Sequence, residues 1–258
     1  MSEPESLIVE RNAGVVTVTL NRPAKKNAVN GPMWGQLVDA FRDAAARTDD
    51  RVVVVTGAGG DFCSGADLTD VAADAGRLAY MRRVGDAALA LHRLPKPTIA
   101  KVRGVAVGAG CNLALGCDLI VASEDARFSE IFARRGLSID FGGSWLLPRL
   151  VGLHKAKELA LLADILPAAR AAEMGLVNKV VPASELDRAV DEWAARLASG
   201  PPLALSMTKT MLSNSFMVSM DQALEDEARC QAVNLAGADV AEALQAFGDK
   251  REPEFHGR

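Results

Sequence analysis

The sequence is poor in the side chains that build most nucleophilic and metal sites. It contains three histidines, His92, His154 and His256, which lie far apart, and it has no Gly-x-Ser-x-Gly motif. A Ser-His-Asp triad and a histidine metal site are therefore poorly supported. We expect each histidine to be a surface or structural residue, and no metal site is predicted.

Cysteine pairs and nucleotide motifs are also missing. The four cysteines include no Cys-x-x-Cys pair, and Cys63 and Cys111 stand among small apolar residues, which is typical of reduced, buried thiols. Neither a disulfide framework nor a zinc site is indicated. Gly108-Ala109-Gly110 has Leu113 where a dinucleotide fingerprint requires glycine, and no Gly-Lys-Ser/Thr phosphate loop is present.

The chain also lacks long apolar runs and an excess of positive charge. It has 258 residues, 49% of them hydrophobic, which is enough for one sizeable core. A net charge of −4 gives no general attraction to nucleic acid. No run of eighteen apolar residues occurs, and residues 1–5 are acidic where a signal peptide would be basic. We expect a cytoplasmic protein with neither nucleic-acid nor membrane partners.

Apolar spacing predicts strands and helices in alternation. The first third should hold a hairpin over 7–9 and 15–20, a helix from Asn30 to about Ala46, and a buried strand at 52–56. Further predictions are a helix at 80–94, a strand from 97, a helix from about Ala109, a strand at 117–122, helices at about 155–162 and 168–174, and a strand at 177–181. From Ser184 onward the period is helical, with breaks at 200–202 and near Gly237.

Two glycine-rich loops stand out, because each follows a predicted strand. The first covers residues 57–68, and the second lies within 97–115, just before the helix that begins near Ala109. Small residues leave backbone amides accessible at such loops, and an amide at a helix N-terminus favours negative charge. Taken alone, the first loop is also explained as a flexible turn with Asp67 capping a helix, and the second by tight packing of the helix on a sheet. Together the two loops can supply one N–H each.

The motifs in and around these loops resemble the crotonase (enoyl-CoA hydratase/isomerase) superfamily. They are Phe62-Cys63-Ser64-Gly65-Ala66-Asp67-Leu68, Gly104-x-x-x-Gly108-Ala109-Gly110-Cys111, Asn21-Arg22-Pro23, Cys117-Asp118-Leu119-Ile120 and Ala246-Phe247-Gly248-Asp249-Lys250-Arg251. The resemblance implies an α/β fold, the crotonase (ClpP-like) spiral of ββα units, over residues 1–195. It also implies a helical trimerisation region over 196–258, in a homo-trimer or a dimer of trimers.

The resemblance further implies an acyl-CoA thioester as substrate, with no separate cofactor, since coenzyme A is part of the substrate. The amides of Ala66 and Ala109 would stabilise the enolate oxygen, by a few kcal/mol each as an order of magnitude. Binding roles fall on the loop residues Asp67, Leu68, Gly108 and Gly110, with Asp67 more structural, and on candidate cations for the CoA phosphates, Arg22, Lys25, Lys26, Lys250 and Arg251.

The sequence departs from the hydratase pattern at both glutamates that activate water. Asn112 takes the first position, and Phe132 takes the second when Gly136 anchors the alignment. Glu130 would fill the second position only if the register slips. Because concerted addition of water needs a positioned acid and base, hydration is disfavoured.

Asp140 is the remaining carboxylate, and its segment resembles the phenylacetate-pathway and dienoyl-CoA isomerases. A single base suffices for a 1,3 proton shift, and burial beside Ile139 and Phe141 should raise the Asp140 pKa. Asp140 as a turn or cap residue stays open.

The alternatives are a hydratase using Asp140 or Glu130, and a non-catalytic acyl-CoA binding protein. A nucleophilic Asp140 has no supporting histidine. The acyl group is not predicted, since the apolar candidates fit a pocket or a core equally well. They are Met81, Val84, Phe132, Phe141 and Trp145.

Overall fold

The computed structural model describes residues 5–73 and 76–258, so residues 1–4 of the acidic start lie outside the described part. The strands are β1 (Leu7–Asn12), β2 (Val15–Leu20), β3 (Val52–Gly57), β4 (Thr98–Val102), β5 (Val105–Val107), β6 (Leu119–Ser123), β7 (Arg127–Ser129), β8 (Leu166–Pro167) and β9 (Lys179–Val181). The α-helices are α1 (Gly31–Ala46), α2 (Leu68–Ala73), α3 (Arg77–His92), α4 (Ala109–Leu115), α5 (Gly143–Leu162), α6 (Ala168–Glu173), α7 (Leu186–Ala198), α8 (Pro202–Asn214), α9 (Met220–Ala236) and α10 (Ala238–Asp249).

Two sheets organise the fold. The larger has the order β1-β2-β3-β4-β6-β9, and the smaller has the order β5-β7-β8. Only β1 and β2 pair antiparallel in the larger sheet, and its other pairs are parallel. Successive strands alternate between the sheets, as in β4, β5, α4 and then β6, β7. This alternation is the spiral of ββα units that the resemblance implied, and the α/β class is confirmed.

Both faces of the larger sheet are covered. Val53 and Val55 of β3 pack into the main core with α1, α3 and α4, whereas Val52 and Val54 pack against α7. The prediction that 52–56 forms a strand buried on both faces is therefore confirmed, because parallel neighbours and helices enclose it.

Local signals placed several elements correctly. The side chain of Asn30 accepts a hydrogen bond from the Met33 N–H (3.2 Å) and caps α1, which ends at Ala46 as predicted. The hairpin is confirmed with the register Leu7 to Leu20. Helix α3 lies slightly earlier than the predicted 80–94.

Other elements differ from the predictions. The helix predicted at 155–162 is the second half of α5, which contains Pro148 and a non-helical Gly152 (φ 75°, ψ 161°). Because this proline and this glycine interrupt the helical pattern, the first half of α5 was not predicted. The strands β5, β7 and β8 have three residues or fewer, too short to show a period. The tail also breaks between Asn214 and Met220, where no glycine or proline marks it.

The helical tail is attached to the spiral through Lys209, whose side chain is 10% exposed. Lys209 of α8 places Nζ 2.7 Å from Asp118 Oδ2 and donates to the main-chain oxygen of Lys96 (2.8 Å). The predicted boundary at residues 195 and 196 falls within α7, and the division into two regions stays a prediction.

No helix in the described ranges is long and apolar enough to cross a membrane.

Candidate active site

The two glycine-rich loops lie side by side and are joined by main-chain hydrogen bonds. Cys63 N–H donates to the Val105 oxygen (2.9 Å), and Val107 N–H donates to the Cys63 oxygen (2.9 Å). At Gly65, with φ +98°, a Cβ would lie 2.9 Å from the Val107 oxygen and 3.6 Å from the Ala109 nitrogen. The first loop therefore passes directly against the start of α4.

The amides of Ala66 and Ala109 lie between residues whose main chain is hydrogen-bonded. Val29 N–H donates to the Gly65 oxygen (2.8 Å) and Asp67 N–H donates to the Val29 oxygen (2.9 Å), so the N–H of Ala66 takes no part in these two hydrogen bonds. Ala109 opens α4, before the first intrahelical bond from Asn112 N–H to the Gly108 oxygen (3.0 Å). Within residues 5–73 and 76–258 neither amide has an acceptor. The two candidate donors thus sit on adjoining segments.

Gly108 and Gly110 are required by the backbone around these amides. Gly108 has φ 56° and ψ −128°, a region that only glycine adopts readily. A Cβ at Gly110 would lie 2.4 Å from the Cys63 oxygen. These two positions therefore allow the loops to approach each other.

Asp67 is engaged in holding its own loop. Its carboxylate lies 3.0 Å from Arg22 Nη2 and accepts hydrogen bonds from Thr69 N–H (3.2 Å) and Oγ1 (2.6 Å). The Thr69 hydroxyl, and then Arg22, hold the Asp67 pKa below its usual value. Leu68 begins α2 and is 48% exposed beside it. These contacts give Asp67 a structural part and leave Leu68 open to solvent.

Of the cations named for the CoA phosphates, Lys26 lies next to the first loop. Its main-chain oxygen accepts from Ser64 N–H (2.9 Å), and its Nζ is 3.3 Å from Asp61 Oδ2 with the side chain 60% exposed. Lys250 follows α10, and no hydrogen bond or ion pair links it to either loop in the described part of the chain. Arg22 and Arg251 are paired with Asp67 and Glu242.

Asp140 lies just before α5, and its side chain is not used as a cap. Its main-chain oxygen accepts from Gly143 N–H (2.9 Å), whereas its Oδ1 is buried and has no hydrogen-bond partner among the described residues. Burial raises the Asp140 pKa to about 7, which confirms the direction predicted from its apolar neighbours. A carboxyl with this pKa can be ionised at neutral pH and still accept a proton.

Asn112 joins the helix that begins at Ala109 to the Asp140 segment. Its Nδ2 donates to the Asp140 main-chain oxygen (3.0 Å) and to Glu130 Oε2 (3.2 Å). Asn112 is fully buried. Phe141, beside Asp140, has φ 48°, and its ring lies 5.6 Å from that of Trp34. The Asp140 segment is therefore fixed relative to the amide of Ala109.

The carboxyl that contacts Asn112 belongs to Glu130 and not to the aligned position 132, which is a phenylalanine. Glu130 is 3% exposed, and burial raises its pKa to about 7, with the charge of Asp140 adding to the rise. Phe132 instead packs under the second loop, 3.7 Å from where a Gly108 Cβ would lie. The alignment of Phe132 with the second glutamate position did not show that Glu130 would meet Asn112.

No sequence pattern indicated the pair of aromatic residues that lies near Asp140. Trp34 Nε1 donates to Tyr80 Oη (3.1 Å) in the core, and the charge of Asp140 adds to the rise that burial causes in the Tyr80 pKa. Among the predicted pocket residues, Val84, Phe132 and Phe141 are buried and Met81 is 39% exposed. The Arg149 guanidinium carbon lies 3.9 Å from the centroid of the Trp145 ring, and the ring centroids of His92 and Trp145 are 5.2 Å apart.

Comparisons with known proteins match nearly the whole chain. The profile of the family described as "Enoyl-CoA hydratase/isomerase" matches residues 10–258. The chain is 36% identical over 261 residues to a 1,2-epoxyphenylacetyl-CoA isomerase of Escherichia coli K12, covering 98% of this chain and 99% of that protein. It is 37% identical over 253 residues to a 2,3-dehydroadipyl-CoA hydratase of the same strain, with the same coverage.

A solved structure gives the same result for the fold. The enoyl-CoA hydratase of Bacillus anthracis superposes with a TM-score of 0.94 at 31% identity, covering 98% of this chain and 100% of that one. The similar proteins thus include both isomerases and hydratases.

Proposed function

The chain belongs to the enoyl-CoA hydratase/isomerase family, and from that premise we propose that it is an enoyl-CoA isomerase with Asp140 as its base. As a family member it is an enzyme of the enoyl-CoA hydratase or isomerase type. The observation that carries the finer assignment is the buried, unpartnered Oδ1 of Asp140, on a segment that Asn112 ties to the helix beginning at Ala109.

The proposed reaction is a proton shift along the acyl chain. Asp140 removes a proton from one carbon, and the electron pair of that C–H bond moves through the chain to the thioester oxygen. The N–H groups of Ala66 and Ala109 stabilise the dienolate at that oxygen, by about 3 kcal/mol for a single such donor. The same carboxyl then returns the proton at another carbon, so that the double bond moves and the atoms balance.

The CoA part of the substrate needs cations at the rim of the site. Lys26 is the supported candidate within one chain, because it lies beside the first loop and is exposed. Lys250 would have to come from a neighbouring subunit. Since coenzyme A is part of the substrate, we propose no separate cofactor.

We also propose that the chain assembles as a homo-trimer or a dimer of trimers. The support is the large apolar side chains that the helical tail and α5 leave exposed in a single chain. Those more than 65% exposed are Leu161, Leu212, Phe216, Met220, Leu235, Leu244 and Phe247.

A hydratase is the second candidate, because Glu130 supplies a second carboxyl. Glu130 Oε1 and Asp140 Oδ1 are both buried and have no hydrogen-bond partner in the part of the chain that the structure describes, and hydration needs an acid and a base. Against it, Asn112 and Phe132 stand where hydratases of the family carry glutamates. Hydration of crotonyl-CoA above background that is lost in both Glu130→Gln and Asp140→Asn would favour this candidate.

The test of the isomerase assignment is conversion of 3-enoyl-CoA to 2-enoyl-CoA. We expect Asp140→Asn to lower kcat by roughly 10²- to 10⁴-fold with little change in KM, because the general base is lost while the binding loops remain. The exposed Asp125→Asn is the matched control and should leave kcat unchanged. Full activity in Asp140→Asn would remove Asp140 from the mechanism. Binding of CoA esters by the wild type without product would instead favour the non-catalytic reading.

A further inference from the structure

We propose that Glu130 is a positioning residue for Asp140, and that the carboxyls of these two residues, whose segments Asn112 joins, hold one proton between them. The part that Asp140 plays in catalysis rests on the proposed function, whereas the proton-sharing pair does not. Neither of the positions at which the family's hydratases carry glutamate is residue 130.

The geometry that supports the pair is a buried amide clamped between two segments. Asn112 Nδ2 is 3.2 Å from Glu130 Oε2 and 3.0 Å from the Asp140 main-chain oxygen. Gly143 lies so close that a Cβ there would be 2.4 Å from Asn112 Nδ2. Because the amide has no room to move, the Asp140 segment is fixed relative to Glu130.

The polar atoms around this amide are under-satisfied. Glu130 Oε1, Asp140 Oδ1 and Asn112 Oδ1 are buried and have no partner in the described part of the chain. No ion pair in residues 5–73 and 76–258 reaches either carboxyl. A buried carboxylate without a cation is costly, and two in one site are more so. Retention of one proton removes one of the two charges.

The other ionisable groups near the pair do not offset its charge. The Cys111 thiol faces Glu130, and burial raises its pKa, so it is neutral. Asp164 lines the same small cavity as Glu130 and is paired with Arg134 (2.5 Å).

On the other side Asp140 faces Tyr80, whose pKa burial raises, with Asp70 and Arg83 near that ring. Burial is the main cause of the raised pKa at both carboxyls, and the charge of Asp140 adds to the rise at Glu130. By reciprocity, a charge on Glu130 must raise the proton affinity of Asp140 as much as the reverse. Glu130 thus makes Asp140 a stronger base.

A carboxyl titration of the 258-residue chain tests this directly. The side-chain carboxyl carbons of ¹³C-labelled Asp and Glu are followed by NMR against pH in wild type, Glu130→Gln and Asp140→Asn, and each variant assigns the signal it loses. We expect Glu130→Gln to lower the Asp140 midpoint, and Asp140→Asn to lower the Glu130 midpoint, by equal amounts of at least about half a pH unit. Exposed Glu124→Gln is the control and should move neither.

An Asp140 midpoint that stays in place in folded Glu130→Gln overturns the proposal. If that variant does not fold, the Asp140→Asn arm decides, because an unmoved Glu130 midpoint there has the same meaning. The acidic limb of the kcat/KM profile should also move to lower pH in Glu130→Gln, which a merely structural role would not cause. Activity retained in Asp140→Asn would overturn the proposed function alone, while the titration would still decide the pair.

Discussion

Gly110 is a single residue whose missing side chain allows the two loops to meet. A Cβ there would lie 2.4 Å from the Cys63 oxygen and 2.7 Å from Cys63 Cβ, which are backbone and buried atoms that cannot move aside. The loop that carries Ala66 would have to shift away from α4. The proposed role of the Ala109 amide therefore requires glycine at residue 110.

We expect Gly110→Ala to lower the free energy of unfolding by about 1–3 kcal/mol, because the added methyl overpacks the core. Activity should fall as well, since the two amides separate. Gly85→Ala in α3 is the matched control, because no atom lies within 4 Å of its added Cβ. Urea unfolding should show the control unchanged or up to about 1 kcal/mol more stable. Equal stability of the two variants would contradict the steric argument.

The buried carboxyl of Glu130 should make the free energy of unfolding depend on pH. Burial raises its pKa from 4.5 to about 7, so the folded state binds this proton more tightly than the unfolded state does. The contribution of Glu130 to the free energy of unfolding is therefore full below about pH 4.5 and is lost as the pH rises through 7. Glu130→Gln cannot ionise, so it should be more stable than wild type at pH 8, by up to about 3 kcal/mol, and gain nothing at pH 4.

The measurement is urea unfolding of wild type and Glu130→Gln at pH 4 and pH 8. A stability difference that is the same at both pH values would show that folding does not raise the pKa of Glu130. Glu124→Gln, on an exposed side chain, should show no difference at either pH.

At the scale of elements, the first loop is held to the end of the hairpin by one ion pair. Asp67 is 11% exposed and Arg22 21%, so solvent screens the pair only partly. The same carboxylate caps α2 through Thr69. Because Ala66 directly precedes Asp67, these contacts orient the proposed donor.

Asp67→Ala should therefore lower the free energy of unfolding by about 1–3 kcal/mol at pH 7, since hydrogen bonds to a charged group are lost. The folded pKa of Asp67 is depressed, so this stability is present above about pH 4 and is lost as the pH falls through the folded value. The difference from wild type should shrink on acidification. Thermal unfolding across pH 3–7 checks this, with exposed Asp125→Ala as the control. A difference that is constant with pH would contradict the ion-pair explanation.

At the scale of the whole molecule, the helical tail leaves apolar surface that one chain does not bury. Phe247 on α10 is 87% exposed and Leu235 on α9 is 71% exposed. Exposed apolar surface of this kind marks contacts with other proteins. The proposed assembly would cover it. The cytoplasmic location stays a prediction.

Sedimentation equilibrium should give a mass three or six times the 27.2 kDa of one chain. Phe247→Asp is expected to shift the protein toward smaller species, because it would place a charge in an apolar contact. Leu78→Asp on α3, where the leucine is 66% exposed, is the control and should leave the mass unchanged. A monomeric wild type would contradict the proposed assembly.

The sequence by itself determined the features that neighbouring residues encode. The hairpin, the cap of α1, the doubly buried β3, the two glycine loops and Asp140 follow from short patterns, since turns, caps and periodicity act over a few residues. The motifs in their order also identified the family. The strands β5, β7 and β8 and the first half of α5 were missed, because their patterns are too short or are interrupted by glycine and proline.

The tertiary structure alone decided which groups meet in the site. Glu130 contacts Asn112 across 18 residues, Asn112 contacts the Asp140 segment across 28, and Trp34 contacts Tyr80 across 46. These pairings depend on how parallel strands and helices stack, and no local pattern carries that information. The desolvation that raises the pKa values of Asp140 and Glu130 to about 7 likewise arises only when distant segments close around them.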